Sequence, residues 1–162
     1  MSDNFLKIAP SAVGYIPDPE SVRRTTALLK SLLPKADEVA FREWTGIQFV
    51  DQGCFFERVS CLQCGRELEL DWWHEQMGSK WNESAKCFET LDVKPPCCGR
   101  QTSLNDLKYE WPAAFSRCIL EVVNPGRDLN EEELRQIEAA TARYERSSSG
   151  TDVLLSFHQI FL

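Results

Sequence analysis

The sequence predicts an α+β protein, because two strand–helix–strand units flank a middle segment that contains most of the cysteines. In each unit, stretches with the two-residue periodicity of a strand stand on both sides of a stretch with helical periodicity and capping residues. The predicted elements are, in chain order, strand 13–16, helix 19–33, strand 38–44, strand 115–123, helix 131–145 and strand 152–158. Their order is βαββαβ.

The first unit contains a helix with clear signals at both ends. Asp18 is a favourable N-cap, Pro19 fits the first helical position, and Pro34 ends the helix. The apolar side of this helix is predicted to comprise Val22, Thr26, Leu29 and Leu33. In the stretch DEVAFREW that follows, Val39 and Phe41 alternate with other residues, which predicts a strand.

The second unit begins with the stretch FSRCILEVV. It is almost continuously apolar from Cys118 to Val123, as is typical of a central strand covered on both faces. Asn130 and Glu133 form a capping box that opens the next helix. The apolar side of that helix is predicted to comprise Leu134, Ile137, Thr141 and Tyr144. The closing stretch TDVLLSFHQIFL alternates and predicts the last strand.

The order βαββαβ is that of a ferredoxin-like α+β sandwich. We therefore predict one α+β domain over residues 1–162, with residues 46–110 inserted between its second and third strands. Within the insertion, GIQFVDQGCFFERVSC predicts a hairpin with its turn at 51–53, and Asp71 is the predicted N-cap of a helix. The apolar side of that helix is predicted to comprise Trp73, Met77, Trp81, Ala85 and Phe88.

The composition limits the classes of function. The chain has 162 residues and a formal net charge of −7, so its surface repels phosphate backbones, and nucleic-acid binding is not expected. A basic protein partner suits this charge. No apolar stretch approaches the roughly 18 residues of a membrane span, and the segment MSDNFLKIAP does not resemble a signal peptide, so we expect a cytoplasmic protein. Hydrolase and phosphate-binding motifs are missing, which predicts no catalytic residues.

The seven cysteines indicate a metal site rather than disulfides, because their number is odd and no secretion signal precedes them. Cys61 and Cys64 have a spacing that lets both sulfurs bind one ion. The sequence Cys-Gly-Arg at 64–66 recurs at 98–100, which indicates two similar loops. Cys54 and Cys118 stand among apolar residues and are expected to be buried thiols. The predicted ligands of one structural Zn²⁺ are Cys61, Cys64, Cys97 and Cys98.

The sequences CLQCG and CCG resemble a zinc-ribbon module, in which two such loops hold one structural zinc. The resemblance covers about residues 54–108 and departs from the usual form, since the second loop has CC rather than CxxC and 32 residues separate Cys64 from Cys97. Cys87 or His74 therefore remains open as a replacement for Cys97. The wider arrangement of motifs is similar to a group of uncharacterised bacterial proteins, and this similarity implies no particular activity.

A site of four thiolates fills every position of a tetrahedral zinc ion, so it leaves no position for Lewis-acid catalysis. The sequence therefore predicts a non-catalytic protein that acts by protein–protein contact and neutralises or regulates a basic partner. Two alternatives stay open, namely a thiol-based redox or metal-handling protein that uses Cys97 and Cys98, and a nucleic-acid-binding zinc ribbon. The redox alternative is less favoured because Cys64 is followed by the strand-like RELEL rather than by a helix.

Overall fold

The computed structural model describes residues 3–51, 57–141 and 157–161. Its helices and strands are, in chain order, β1 (Phe5–Pro10), α1 (Pro19–Leu32), β2 (Glu38–Val50), β3 (Val59–Ser60), α2 (Leu70–Lys80), β4 (Trp81–Asn82), β5 (Cys87–Phe88), β6 (Asp92–Val93), β7 (Thr102–Ser103), a 3₁₀ turn (Leu104–Asp106), β8 (Lys108–Tyr109), β9 (Ala114–Val123), α3 (Glu131–Thr141) and β10 (Phe157–Phe161). The protein is therefore a mixed helix and sheet structure, as the sequence predicts.

Six strands form the main sheet in the order β10-β1-β9-β2-β5-β4, and their pairings are antiparallel. Because β9 lies between β1 and β2, those two strands run parallel to each other. The ladder between β2 and β9 extends from Glu38 opposite Val123 to Val50 opposite Ala114. The first and last described strands, β1 and β10, thus pair at one edge of the sheet, and β9 and β2 form its centre.

Helices α1 and α3 pack against one face of this sheet. Alternate residues of β1 and β9 are buried there: Leu6, Ile8, Leu120 and Val122. Leu29 and Leu33 at the end of α1 and Ile137 of α3 complete this cluster, which we call the helix-side core. The two helices also contact each other, since the hydroxyl oxygens of Thr25 and Thr141 lie 3.0 Å apart.

The N-caps of α1 and α3 agree with the prediction. The Asp18 carboxylate accepts from the amides of Glu20 (3.0 Å) and Ser21 (3.1 Å). At α3, the Glu133 amide donates to the Asn130 side chain (2.9 Å), and the Asn130 amide donates back to the Glu133 carboxylate (3.0 Å). Both helices therefore begin where their capping residues place them.

The buried side of α1 differs from the predicted apolar stripe. Ser21 and Thr25 are buried, whereas Val22 and Thr26 are only half-buried. The polar residues can be buried because their hydroxyls find local acceptors: Ser21 donates to the Asp18 carboxylate (2.8 Å) and Thr25 to the Ser21 carbonyl (2.8 Å).

The first strand lies earlier than predicted. β1 is Phe5–Pro10, and residues 13–16 form a turn and loop in which the Tyr15 amide donates to the Ala12 carbonyl (3.0 Å). Pro10 ends the strand because it has no amide hydrogen for a further ladder bond. The alternation of apolar and polar residues in FLKIAP is short, so it indicates a strand less clearly than the apolar residues at 13–16 do.

Strand β2 is longer than predicted and continues to Val50, so the predicted first arm of the hairpin belongs to it. Residues 52–56, which include Cys54 and most of the predicted turn, lie outside the described residues. The predicted helix residues 142–145 and strand residues 152–156 also lie outside them.

The segment between β2 and β9 is described over residues 57–113, and we call it the middle region. Its helix α2 begins after Glu69 rather than Asp71, and it ends at Lys80, so Trp81, Ala85 and Phe88 do not continue a helical face. They belong to a β4–β5 hairpin, whose turn is closed by the Ala85 amide donating to the Asn82 side chain (2.9 Å).

The middle region packs against one end of the main sheet. Its core includes Trp73, Val59, Val93 and Leu104, and Phe115 of β9 joins the same cluster. The Asn105 side chain binds both sides of this junction, because it donates to the Ser11 carbonyl (3.3 Å) and accepts from the Phe115 amide (3.1 Å). In the described part of the chain, no helix is both long and apolar enough to cross a membrane.

Candidate metal centre

The first cysteine loop, residues 61–66, is a tight turn between paired segments. The residues on either side of the loop, Ser60 and Glu67, form an antiparallel β-bridge, and the Cys61 amide donates to the Arg66 carbonyl (2.9 Å). The Gly65 amide donates to the Cys61 carbonyl (2.8 Å), and Gly65 has a φ of +74°. Glycine adopts this left-handed conformation without the steric cost of a Cβ, so the chain reverses there and brings Cys64 back beside Cys61.

The second cysteine loop, residues 95–100, has the same backbone shape. It connects β6 to β7, which pair Val93 with Thr102. The Gly99 amide donates to the Pro95 carbonyl (2.8 Å), and the Gly99 φ is +63°.

The two loops are an internal structural repeat with an offset of 34 residues. Three pairs of residues fall at equivalent positions. They are the buried valines that lead into the loops, the glycines with a left-handed backbone and the arginines after those glycines: Val59 and Val93, Gly65 and Gly99, Arg66 and Arg100. At this offset Pro95 takes the place of Cys61, and Cys97 takes the place of Gln63. The second loop therefore keeps two thiols but moves one of them two positions along the turn.

The four predicted ligands come together in the structure. Their sulfur atoms all lie within 4.8 Å of one another, and we call this group the cysteine cluster: Cys61, Cys64, Cys97 and Cys98. The sulfurs of Cys61 and Cys98 are 3.8 Å apart, and those of Cys64 and Cys97 are 3.3 Å apart. A tetrahedral site with metal–sulfur bonds of about 2.3 Å places its sulfurs about 3.8 Å apart. The cluster therefore fits a single four-coordinate metal ion.

The four thiols differ in exposure. Cys61 is buried with 1% of its surface exposed, Cys97 and Cys98 are half-buried, and Cys64 is exposed. The cluster is thus covered on the side of the protein core and open to solvent at Cys64.

The first loop favours the ionised form of Cys61. The backbone amide of Cys64, assisted by that of Gln63, lowers the pKa of the Cys61 thiol to about 7, because amide hydrogen bonds stabilise a thiolate. At Cys97, burial and, secondarily, hydrogen bonds with the neighbouring thiols together raise the pKa to about 12. Without a cation, four close thiolates repel each other, so the arrangement favours the binding of a positive ion.

Exposed basic residues flank both loops. Arg66 and Arg100 are exposed, and Arg58 faces Glu110 at 3.8 Å. Beside the first loop, four acidic side chains line an open groove: Glu57, Glu67, Glu69 and Asp71. This groove was missed in the sequence, although the alternating acids of RELELD were its signal.

The two residues that the sequence left open as replacements for Cys97, Cys87 and His74, lie elsewhere. Cys87 is in β5, and a Cβ on Gly46 would stand 2.5 Å from its sulfur, so the thiol packs on that glycine. His74 lies on α2 with its ring 5.1 Å from the Trp73 ring. Among the described residues, neither belongs to the cluster.

Cys118 is a buried thiol, as predicted, and it donates to the Tyr15 carbonyl (3.3 Å). Burial raises its pKa to about 11. This thiol is therefore protonated at neutral pH and separate from the cysteine cluster.

No protein-family model, curated protein or solved structure matches this chain.

Proposed function

We propose that the cysteine cluster binds one Zn²⁺ as a structural site that holds the two cysteine loops together. The observation that carries this proposal is the pairing of sulfurs across the loops, with Cys61 beside Cys98 and Cys64 beside Cys97. Residues more than 30 positions apart in the chain would then share one ion. A cation bound in this way stabilises the folded state, because the unfolded chain does not present the four thiolates together.

The chemistry of the ligands supports zinc. Four thiolates form a soft ligand set, which in tetrahedral geometry suits Zn²⁺ or an iron–sulfur centre rather than Mg²⁺ or Ca²⁺. The two loops, each with a left-handed glycine and an amide-to-carbonyl bond across the turn, support a zinc-ribbon-like module.

We extend this proposal to the fold. The strand order β10-β1-β9-β2, with α1 and α3 on one face, supports a ferredoxin-like sandwich over residues 1–162. The zinc-ribbon-like module would then be an insertion between the second and third strands of that sandwich.

The proposed role of the whole protein is non-catalytic contact with a basic protein partner in the bacterial cytoplasm. A closed four-thiolate site leaves no coordination position for a substrate. The net charge of −7 and the acidic groove beside the first loop support a basic partner. A test is affinity capture with the chain against Glu67→Lys/Glu69→Lys, with Glu131→Lys/Glu132→Lys on α3 as the matched control. Loss of a basic partner only in the groove variant is expected, and equal capture by all three proteins contradicts a role for the groove.

The metal proposal is tested by elemental analysis of the purified full chain. We expect one zinc per chain, and we expect zinc loss in Cys64→Ser and Cys98→Ser but not in Cys87→Ser, whose thiol lies outside the cluster. Retention of full zinc by Cys98→Ser would contradict the proposed ligand set. Fast labelling of Cys97 or Cys98 in a protein that holds no metal would instead support the redox alternative, and strongly salt-dependent RNA binding by the zinc-loaded protein would support the nucleic-acid alternative.

A further inference from the structure

The cysteine cluster is asymmetric toward solvent, and this asymmetry has a chemical consequence. Cys64 is exposed, whereas Cys61 has 1% of its surface exposed. A small oxidant that approaches from water therefore meets the Cys64 sulfur first. Thiolates bound to zinc remain nucleophilic, and exposure selects which of them reacts.

A thiol of the other loop lies close to Cys64. The sulfurs of Cys64 and Cys97 are 3.3 Å apart in the structure and would be about 3.8 Å apart around a bound zinc, so a disulfide bond of about 2.05 Å requires them to approach by about one to two ångström. Cys97 is half-buried and therefore less accessible to an oxidant in water than the exposed Cys64.

The competing pairings are less favourable. A bond between Cys97 and Cys98 would close a ring around a single peptide unit, which forces the backbone out of its ordinary geometry. Cys61 is 1% exposed, so it would have to leave its buried position to reach the exposed Cys64 sulfur. The sulfurs of Cys61 and Cys98 are 3.8 Å apart.

We propose that a peroxide oxidises the zinc-loaded cysteine cluster at Cys64 and that the first disulfide formed joins Cys64 to Cys97. The inference rests on the proposed zinc site and adds a mode of regulation to it. The Cys64 thiolate attacks one peroxide oxygen, the O–O bond breaks, and hydroxide leaves. The Cys97 thiolate then attacks the resulting sulfenic sulfur, so that the S–S bond forms and a second hydroxide leaves. Two thiolates are oxidised by two electrons, and the peroxide is reduced.

The new bond changes what the cluster can hold. Cys61 and Cys98 remain as two thiolates, which bind a cation far more weakly than four. The Cys64–Cys97 bond nevertheless keeps the two loops tied, because it joins residues of both. The oxidised protein therefore releases zinc while the loops stay cross-linked, and reduction restores the four thiolates.

The test uses the full zinc-loaded chain and stoichiometric hydrogen peroxide. After alkylation of free thiols, peptide mapping identifies the first disulfide, and a chromogenic chelator measures released zinc. We expect a Cys64–Cys97 cross-link and the loss of one zinc per bond formed, with the same result in Cys87→Ser. A first disulfide between Cys97 and Cys98 or between Cys61 and Cys64, or zinc loss without a disulfide, would overturn the inference alone. A chain that holds no zinc before peroxide is added would overturn the proposed function and the inference together.

Discussion

Strand β9 supplies ten residues to the main sheet, whereas each of the paired strands β3, β6, β7 and β8 in the middle region has two. The helix-side core is built from side chains that alternate along long strands and pack against two helices. The middle region also has a buried core, but few ladder bonds connect its parts. A region of such short strands needs another constraint to hold its parts together, and the cysteine cluster lies where two of its turns meet.

The largest expected effect is that of removing one ligand from the buried side of the cluster. Cys61→Ser should abolish stoichiometric zinc binding and destabilise the middle region by several kcal/mol, since the binding free energy of a structural zinc is folding free energy of about 10–16 kcal/mol in small zinc peptides. Trp73 is 6% exposed in the middle core, so its fluorescence should shift to the red. Unchanged emission in a zinc-free variant would show that the core of the middle region does not depend on the metal.

A substitution in the helix-side core should act on the other region. Ile8 is fully buried, so Ile8→Ala should lower the free energy of unfolding by about 2–5 kcal/mol. Zinc content of the folded protein should stay at one per chain, because β1 contributes nothing to the cluster. Urea unfolding and metal analysis measure both quantities. Zinc loss from folded Ile8→Ala would show that the two regions are not separable.

The glycines of the loops should respond differently from a glycine in a helix. Gly99 has a φ of +63°, so Gly99→Ala should cost about 1–2 kcal/mol and weaken zinc binding. Gly78 lies within α2 with open space around it, so Gly78→Ala should stabilise the helix by about 0.5–1 kcal/mol. Urea unfolding of the zinc-loaded proteins compares them, and the same sign for both variants would be the contradictory outcome.

The smallest expected effect is a pH dependence located at α3. Arg127 and the Asn130 amide hold the pKa of Glu133 at about 2, below its ordinary value. Because the pKa is depressed in the folded state, the stabilisation is present above about pH 4.3 and is lost as the pH falls toward 2. Glu133→Gln should flatten this part of the stability curve, measured by urea unfolding between pH 5 and 2, whereas exposed Glu132→Gln should not. If the free energy of unfolding changes with pH in the same way in wild type and in Glu133→Gln, Glu133 is not the source of the pH dependence.

Features with a local chemical cause could be predicted from the sequence. The caps at Asp18 and Asn130 and the apolar run of β9 specify elements through neighbouring residues. Strands of two residues have no period to recognise, so β4 to β8 could not be predicted in this way. β3 falls in the second arm of the predicted hairpin, but it pairs with β8 rather than with β2. The end of α2 at Lys80 was also missed, because Trp81 continues the helical spacing while its backbone begins a hairpin.

In the candidate site too, features with a local cause could be predicted from the sequence, and features that depend on distant parts of the chain could not. The spacing of Cys61 and Cys64 and the repeated Cys-Gly-Arg indicated two loops. The sequence left open whether Cys87 or His74 replaces Cys97, since the choice depends on how two distant turns face each other. In the structure, Pro95 occupies the position equivalent to Cys61, and Cys97 supplies the thiol that the second loop lacks there.

Hydrogen exchange before and after chelation tests whether the middle region depends on a metal at the cysteine cluster. If a metal at the cysteine cluster holds the middle region together, its removal should abolish the protection of amides in residues 59–109 and leave that of β1, α1 and β9 nearly unchanged. The Gly65 and Gly99 amides, which close the two loops, should be among the first to lose protection. Equal protection before and after chelation of a zinc-loaded protein, or a uniform loss over both regions, would contradict the account.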